Sequence, residues 1–373
     1  MKLLDKEKLE QSIEQIARYD LENNNLFGSS YFVWQNGSVA FKKHFGNTGL
    51  DGVKKVNDHT IYRLASMTKP ITAVAMLILV DRGLISLSDP VKKFLPEFKN
   101  IHIITTAGID LGQTNSDVTI KHCLTHASGF GSERNVVLSD SVMRTRGNTI
   151  KLFVDAGLGF EPATKQAYSA FAAFDILAAI VEKITKDDYE TFLKNEIFIP
   201  CNMQDTTFLP SEEQWNRLMT MHNKVNGKND IGITYPDCVF EEFPCTHQLA
   251  GAGLVSTLND YSNFAQMLLN KGEINNHRIL SEKTFKKLST PHVAEDIMPG
   301  CEKWGLGVRV ITDETYKYLP TGSFGWSGAY GSHFWIDPEN DIYAVFMKNS
   351  KFDGGAGNSS ACRFEEAVFD ALI

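Results

Sequence analysis

This 373-residue sequence contains no uncharged apolar run long enough to span a bilayer, for which about 20 consecutive apolar residues are needed. The segment 1–20 is charged and amphipathic, with leucine and isoleucine at roughly helical spacing, so it lacks the continuous apolar centre of a secretory signal peptide. From these two absences we expect a protein without a membrane span that resides in the cytoplasm.

Basic residues are in deficit, since 37 Lys and Arg stand against 45 Asp and Glu, for a net charge of -8. Binding to nucleic-acid phosphates needs a basic surface, so no nucleic-acid partner is expected. The six cysteines form no CxxC pair, which favours reduced and mostly buried thiols in an intracellular protein. A Cys238–Cys245 disulfide is the alternative if the protein is exported. The cysteines are Cys123, Cys201, Cys238, Cys245, Cys301 and Cys362.

Motifs of several other enzyme classes are missing. The nearest approach to the GxSxG elbow of α/β-hydrolases is the segment 325–329, which lacks the final glycine. His122 and His126 lie four residues apart without an HExxH pattern or an evident third ligand, so structural hydrogen bonds are the favoured interpretation of His126. The glycine-rich segment 354–357 has no following Lys-Ser/Thr pair and is interpreted as a loop. Neither a metal nor an organic cofactor is expected.

The N-terminal part predicts a helix, a hairpin and a second helix. Asn36-Gly37 separates two β-rich runs, 30–35 and 38–43, and is a strong hairpin signal. The apolar segment 71–80 follows and predicts a helix with Gly83 as its C-cap.

The remainder is mostly helical up to about residue 288 and then rich in strands. Helices are predicted over 174–184 and from Thr257, where 257–260 resembles a capping box. Strands are predicted over 304–310, 332–336 and 342–347, with a turn at 337–341, and a last helix over about 363–373.

Strands at both ends with helices between them predict an α+β fold. Both termini would complete one antiparallel sheet flanked by helices. The length favours two subdomains over one core, and we assign 1–87 with 289–373 to the sheet subdomain and 88–288 to a mostly helical one. Ligand sites are favoured at such junctions, where the helix after Ser66 would lie. The sequence leaves the oligomeric state open.

Ser66 and Lys69 form the only SxxK pattern in the sequence. At this spacing on a helix both side chains project from one face. A serine hydroxyl needs a base to become a nucleophile, and a lysine desolvated one turn away can supply it. The plainer alternative is an N-cap serine beside a solvated lysine.

Five ordered segments resemble the serine β-lactamase and penicillin-binding-protein superfamily, specifically its class C β-lactamase branch and the related family VIII carboxylesterases. Together they span nearly the whole chain. The segments are Arg63-Leu64-Ala65-Ser66-Met67-Thr68-Lys69, Leu124-Thr125-His126-Ala127-Ser128-Gly129-Phe130, Tyr168-Ser169-Ala170, Gly251-Ala252-Gly253-Leu254-Val255-Ser256-Thr257 and Trp326-Ser327-Gly328.

The resemblance implies a β-lactamase/transpeptidase-like fold and an acyl-serine mechanism. Ser66 would be the nucleophile, with Lys69 and Tyr168 sharing the proton transfers, and the pKa of Tyr168 would be lowered by a neighbouring ammonium. The backbone amides of Ser66 and Ala329 would form the oxyanion hole. The residues expected to bind the substrate are Trp326, Ser327, Gly328, Phe130 and Tyr330.

Two departures from the family pattern bear on the substrate. Ala170 replaces the asparagine of the second motif, and Trp326 replaces the lysine or histidine of the third. A tryptophan offers one N–H and an apolar face but no positive charge. We therefore expect cleavage of small uncharged esters. The alternatives are a β-lactamase or D-alanyl-D-alanine carboxypeptidase, a non-catalytic penicillin-binding-like protein, and acyl transfer to an alcohol.

Overall fold

The computed structural model describes residues 1–131, 145–232 and 247–373. Within those ranges, none of the helices combines the length and the apolar character that crossing a membrane requires. The α-helices are α1 (Lys6–Glu22), α2 (Thr68–Asp81), α3 (Ile120–Leu124), α4 (Arg146–Ala156), α5 (Ala172–Thr185), α6 (Tyr189–Leu193), α7 (Glu212–Asn216), α8 (Leu258–Leu269), α9 (Glu282–Leu288) and α10 (Ser359–Asp370). A π-helical segment (Lys194–Phe198) continues α6, and 3-10 turns lie at Ala65–Met67, Val91–Lys93 and Pro96–Asn100.

Seven strands drawn from both ends of the chain form the central antiparallel sheet. The described residues contain fifteen strands in all, which are β1 (Gly28–Gln35), β2 (Ser38–Gly46), β3 (Ile61–Arg63), β4 (His102–Ile104), β5 (Asp110–Gln113), β6 (His222–Val225), β7 (Lys228–Ile231), β8 (Val255–Thr257), β9 (Glu273–Ile274), β10 (His277–Arg278), β11 (Glu302–Trp304), β12 (Arg309–Ile311), β13 (Phe324–Ser327), β14 (His333–Asp337) and β15 (Ile342–Met347). The sheet order is β11-β12-β13-β14-β15-β1-β2, so β1 pairs with the last strand of the chain. The predicted α+β fold with one sheet completed by both termini is confirmed.

The sheet separates two hydrophobic layers because successive side chains of a strand point to opposite faces. In β1, Tyr31 and Val33 pack in the layer with α1 and α10, whereas Phe32 packs in the main core. In β15, Ala344 belongs to the first layer and Val345 to the main core, which also contains the buried face of α2.

The predicted hairpin between β1 and β2 is confirmed. Asn36 and Gly37 have φ of 48° and 78°, as a two-residue turn with positive φ at both positions requires. After α2, the C-cap is Arg82, and Gly83 follows it with a φ of 67°. The left-handed conformation expected at the end of this helix is therefore present one residue beyond its C-cap.

The prediction of one strand over 304–310 was wrong, because a turn divides the run into β11 and β12. Gly307 has a φ of 70°, and a Cβ on Gly305 would lie 2.3 Å from the Leu288 carbonyl oxygen. The two glycines thus allow a tight turn to pack against α9. The apolar residues around them make the run resemble a single strand.

The middle of the chain contains more than helices. Two-stranded ribbons β4–β5, β6–β7 and β9–β10 lie between its helices, and β8 pairs with β3 from the N-terminal part. The division into subdomains 1–87 with 289–373 and 88–288 stays a prediction.

The cysteines within the described residues are all free thiols: Cys123 and Cys201 are buried, while Cys301 and Cys362 are partly exposed. Cys238 and Cys245 lie outside the described residues, as does any disulfide between them. The cytoplasmic location stays a prediction.

Candidate active site

Ser66 lies on the 3-10 turn that joins β3 to α2. Ser66 is partly exposed, whereas its neighbours Ala65 and Met67 are 4% and 0% exposed. Ala65 has a φ of 45°, which is an unfavourable conformation for a residue with a Cβ. The local backbone thus turns one serine outward between two buried residues, just before the first helical amides of α2.

Lys69 is fully buried on the first turn of α2, with its amino group directed at Ser66. The distance from Lys69 Nζ to Ser66 Oγ is 3.3 Å, and Nζ donates to the carbonyl oxygens of Ala170 and Gly251, each at 2.8 Å. Burial holds the pKa of Lys69 well below its ordinary value, against an opposing effect of the negative charge of Asp175. The solvated lysine of the plainer alternative is not what the structure shows.

A glycine at position 251 is needed for this packing. A Cβ on Gly251 would lie 2.6 Å from the Ala170 carbonyl oxygen and 3.4 Å from Lys69 Nζ. Since the first contact is with backbone, a larger residue would separate the two carbonyls that Lys69 binds. This is the physical reason for a glycine at the start of the 251–257 segment.

Tyr168 reaches Ser66 from the loop before α5. Its hydroxyl is hydrogen-bonded to the Ser66 side chain and accepts from Trp326 Nε1 at 3.2 Å. Lys69 Nζ lies 4.9 Å from the centre of the Tyr168 ring. The structure therefore brings the predicted nucleophile, lysine and tyrosine into one cluster.

The expected lowering of the Tyr168 pKa was wrong. Burial raises the pKa of Tyr168 to about 12, in spite of the hydrogen bonds from Ser66 and Trp326. The reason is that burial of the phenol itself outweighs the two hydrogen bonds that lower its pKa. Tyr168 is accordingly a neutral phenol near pH 7.

The turn between β13 and β14 packs directly against the turn that carries Ser66. A Cβ on Gly328 would lie 2.4 Å from the Leu64 carbonyl oxygen. Within the turn, Gly328 N–H donates to Ser332 O at 2.7 Å and Gly331 N–H donates to Gly328 O at 3.0 Å. The partly exposed Ala329 lies between these bonded amides and packs against the cluster that contains Ala65, the residue before Ser66.

With this geometry established, comparison with known proteins gives the family. A family model described as Beta-lactamase matches residues 13–361. The chain belongs to the beta-lactamase family. The resemblance drawn from the five motifs is thereby confirmed.

Relatives of this beta-lactamase family member include proteins from several bacteria. Protein Rv1367c of Mycobacterium tuberculosis is 28% identical over 86% of this chain and 85% of its own length. Esterase EstB of Burkholderia gladioli is 25% identical over 95% of this chain and 94% of its own length. The solved structure of EstCE1, described as a hydrolase with promiscuous acyltransferase activity, has a TM-score of 0.83 at 20% identity and covers 98% of this chain and 99% of that one. Family and fold together support a β-lactamase-fold hydrolase.

Three residues predicted to bind substrate have enclosed side chains in this beta-lactamase family fold. Ser327 is 4% exposed, and its hydroxyl is hydrogen-bonded to His333 on the sheet face that carries α10. Phe130 is 1% exposed and packs edge-on against Phe98 in the main core. Tyr330 is 3% exposed. We therefore expect these side chains to support the site without touching a substrate, whereas Trp326 is partly exposed.

His126 is a part of the cluster that the sequence interpretation treated only as structural. Its Nδ1 accepts from Ser169 N–H at 3.0 Å, its carbonyl accepts from Ala167 N–H at 2.9 Å, and its ring lies 4.5 Å from that of Tyr168. Burial and the charge of Lys69 hold the His126 pKa well below its ordinary value. The imidazole and the backbone carbonyl of His126 thus fix the chain on the two sides of Tyr168, which confirms structural hydrogen bonding by this residue.

Trp304 and Asp175 are further neighbours that sequence reasoning missed. The Trp304 ring contacts those of His126 and Trp326, with centroids 4.3 and 4.5 Å apart. In the sequence Trp304 was one apolar residue of a strand and Asp175 one polar residue of a helix, so neither carried a signal of its position.

Across the ranges that the structure describes, no three His, Cys, Asp or Glu side chains are grouped in a way that could hold a metal ion.

Proposed function

We propose that the chain is a serine hydrolase that cleaves uncharged carboxylic esters through an acyl-Ser66 intermediate. The observation that carries the proposal is the set of partners around Lys69 Nζ. A neutral amine has two N–H bonds and one lone pair. The carbonyls of Ala170 and Gly251, each 2.8 Å away, use both N–H bonds, which leaves the lone pair for the Ser66 hydroxyl at 3.3 Å.

In the first step Ser66 Oγ bonds to the acyl carbon while its proton passes to Lys69. The negative charge that develops on the carbonyl oxygen is stabilised by the backbone N–H groups of Ser66 and Ala329, which lie on the two turns held together at Gly328. Donors fixed in advance at such a position are among the largest contributions to acyl-transfer rates.

In the second step the bond between the acyl carbon and the alcohol oxygen breaks. Tyr168, a neutral phenol hydrogen-bonded to Ser66, donates its proton to the leaving oxygen, and the proton held on Lys69 restores the phenol. Water then attacks the acyl-Ser66 carbonyl by the same route, releasing the acid and regenerating the Ser66 hydroxyl. The whole cycle consumes one ester and one water and releases one alcohol and one acid.

Uncharged esters are favoured over β-lactams and peptide C-termini because the described residues place no cation at the position where the family pattern has its lysine or histidine. The family's cationic position is occupied by Trp326, whose N–H is already donated to Tyr168 at 3.2 Å. Lys69, next to the nucleophile, is buried and bonded to backbone carbonyls. The similarity to an esterase along 95% of the chain agrees with this choice.

The test is a panel of p-nitrophenyl esters, a chromogenic cephalosporin and a D-Ala-D-Ala peptide, assayed on wild type, Ser66→Ala and the exposed-serine control Ser38→Ala. We expect rapid ester cleavage by wild type and Ser38→Ala, and none above background by Ser66→Ala. Faster turnover of the cephalosporin than of p-nitrophenyl butyrate would favour a β-lactamase instead. Addition of alcohols to the assay distinguishes acyl transfer from hydrolysis by the appearance of a new ester.

A non-catalytic binding protein is tested by covalent labelling. We expect a fluorophosphonate to label wild type and not Ser66→Ala. Absence of labelling in folded wild type would contradict a nucleophilic Ser66 and favour the binding protein.

A further inference from the structure

Asp175 is a fully buried carboxylate on α5 that lies behind the lysine and is not used in the mechanism above. Its Oδ1 accepts from Ala250 N–H at 2.8 Å, and its Oδ2 lies 3.0 Å from His247 Nε2. Arg146 Nη1 lies 3.4 Å from Oδ1. A buried carboxylate is costly unless it is paired, and here each oxygen has a partner.

The segment 247–251 connects this carboxylate to Lys69. Asp175 binds the amide of Ala250, and the carbonyl of the next residue, Gly251, accepts from Lys69 Nζ. On its other side the Ala250 carbonyl accepts from the Thr72 hydroxyl at 2.6 Å, one turn after Lys69 on α2. The segment is therefore fixed between α5 and α2, and its position sets where one of the two acceptors for Lys69 lies.

Asp175 also acts on Lys69 through its charge. It is the group whose charge raises the proton affinity of Lys69 against the effect of burial. The other titratable groups that face Lys69 are Tyr168 and His126. Asp175 itself faces His247 and Arg146, and the guanidinium of Arg146 is shared with Glu182 of α5 at 3.0 Å.

We infer that Asp175 is a positioning residue for Lys69, which holds the Gly251 carbonyl in place and supplies the negative charge that keeps the buried amine basic enough to accept the Ser66 proton. The inference rests on the proposed role of Lys69 as the base. A fully buried amine without an opposing charge would be neutral yet a weak base, and general-base efficiency follows basicity.

The first test is Asp175→Asn, followed by the rate of fluorophosphonate labelling of Ser66 between pH 4 and 10. Asparagine keeps an oxygen for Ala250 N–H but removes the charge. We expect the acid limb of the labelling profile to move to lower pH by about one unit, with a lower plateau. Glu182→Gln is the matched control, since it removes a carboxylate from the same helix and the same arginine without touching 247–251, and its profile should match wild type.

For a second variant, Arg146→Gln, we expect the acid limb to shift in the opposite direction. It removes the cation that partly neutralises Asp175, so the acid limb should move to higher pH. If Asp175 had a purely structural role, both variants would have a lower plateau rate of labelling. Their acid limbs would then not move in opposite directions along the pH axis.

The outcomes separate the two proposals. If folded wild type is not labelled at any pH, the proposed function fails. If wild type is labelled and the folded Asp175→Asn profile has an unshifted acid limb, only the inference about Asp175 is overturned. If Asp175→Asn does not fold, as thermal denaturation would show, the labelling profile of Arg146→Gln decides. An acid limb moved to higher pH supports the inference, and an acid limb at the wild-type pH overturns it.

Discussion

Replacement of Gly328 by alanine tests how the two halves of the site are held together. A Cβ on Gly328 would lie 2.3 Å from Ser332 Oγ and 2.4 Å from the Leu64 carbonyl oxygen, where contacts under 3.0 Å are essentially never found. The hydroxyl can rotate away, but the carbonyl belongs to the backbone. One of the two turns must therefore move by at least 0.6 Å, the difference between 3.0 and 2.4 Å.

This displacement acts on the proposed oxyanion hole. Ser66 follows Leu64 by two residues and Ala329 follows Gly328 by one, so the movement changes the separation of their amides. A misplacement of about 1 Å in an active site can cost about 100-fold in rate, and we expect kcat/KM of Gly328→Ala to fall by about 10- to 100-fold. Overpacking should also lower the free energy of unfolding by about 1–3 kcal/mol.

The assay is p-nitrophenyl butyrate hydrolysis together with the labelling rate of Ser66 and a thermal unfolding curve. Gly147→Ala is the matched control, because Gly147 lies in α4 and its added Cβ would meet no heavy atom of the described residues within 4 Å. The control should keep full activity and equal or slightly higher stability. A Gly328→Ala protein with kcat/KM within about twofold of wild type, well below the loss expected from misplacement, would refute the reasoning.

Three further results are expected. With a neutral ester, kcat/KM should fall as the pH drops through the burial-lowered pKa of Lys69, because the protonated amine has no lone pair to offer; a profile flat down to pH 4 would contradict this. Trp326→Phe keeps a ring but removes the N–H donated to Tyr168, so kcat should fall about fivefold with KM little changed; steady-state kinetics that show only a KM effect would argue otherwise. Although burial opposes it, bonding to His333 lowers the pKa of Glu365 to about 2, so its stabilising contribution is full above the unfolded pKa of about 4.3 and is lost progressively as the pH falls from there through about 2. Glu365→Gln should therefore flatten the acid side of a plot of melting temperature against pH, and an unchanged slope would count against that contribution.

The sequence was sufficient for the parts of the fold that local chemistry determines. Asn36-Gly37 specifies its hairpin by backbone conformation alone, and the β-rich run 342–347 is long enough to be recognised as a strand. The prediction over 304–310 was wrong because its apolar residues resemble a strand, while the turn depends on packing of Gly305 against the end of α9 and of Gly307 against Ala73 of α2, which the run itself does not show.

The candidate site shows the same limit. The pattern of Ser66 and Lys69 predicts a nucleophile and base, and the structure places them within hydrogen-bonding reach. The protonation state of Tyr168 could not be predicted, because it depends on how deeply the phenol is buried in the folded chain. The contacts of Asp175 could not be predicted either, since a position on a helix does not show which backbone amides will bind the side chain in the folded protein.

The pairing of β1 with β15 joins the two ends of the chain, so the site can be completed only late in synthesis. Ser332 Oγ and the Leu64 carbonyl are joined by a hydrogen bond across 268 residues, and Arg63 N–H and Asn349 Oδ1 by another across 286. The segment with the nucleophile thus leaves the ribosome early, while the strands that complete its surroundings emerge near the end. Contacts so distant in sequence form slowly, and we expect nascent chains that stop before β13 to carry an unassembled Ser66 that does not react with esters.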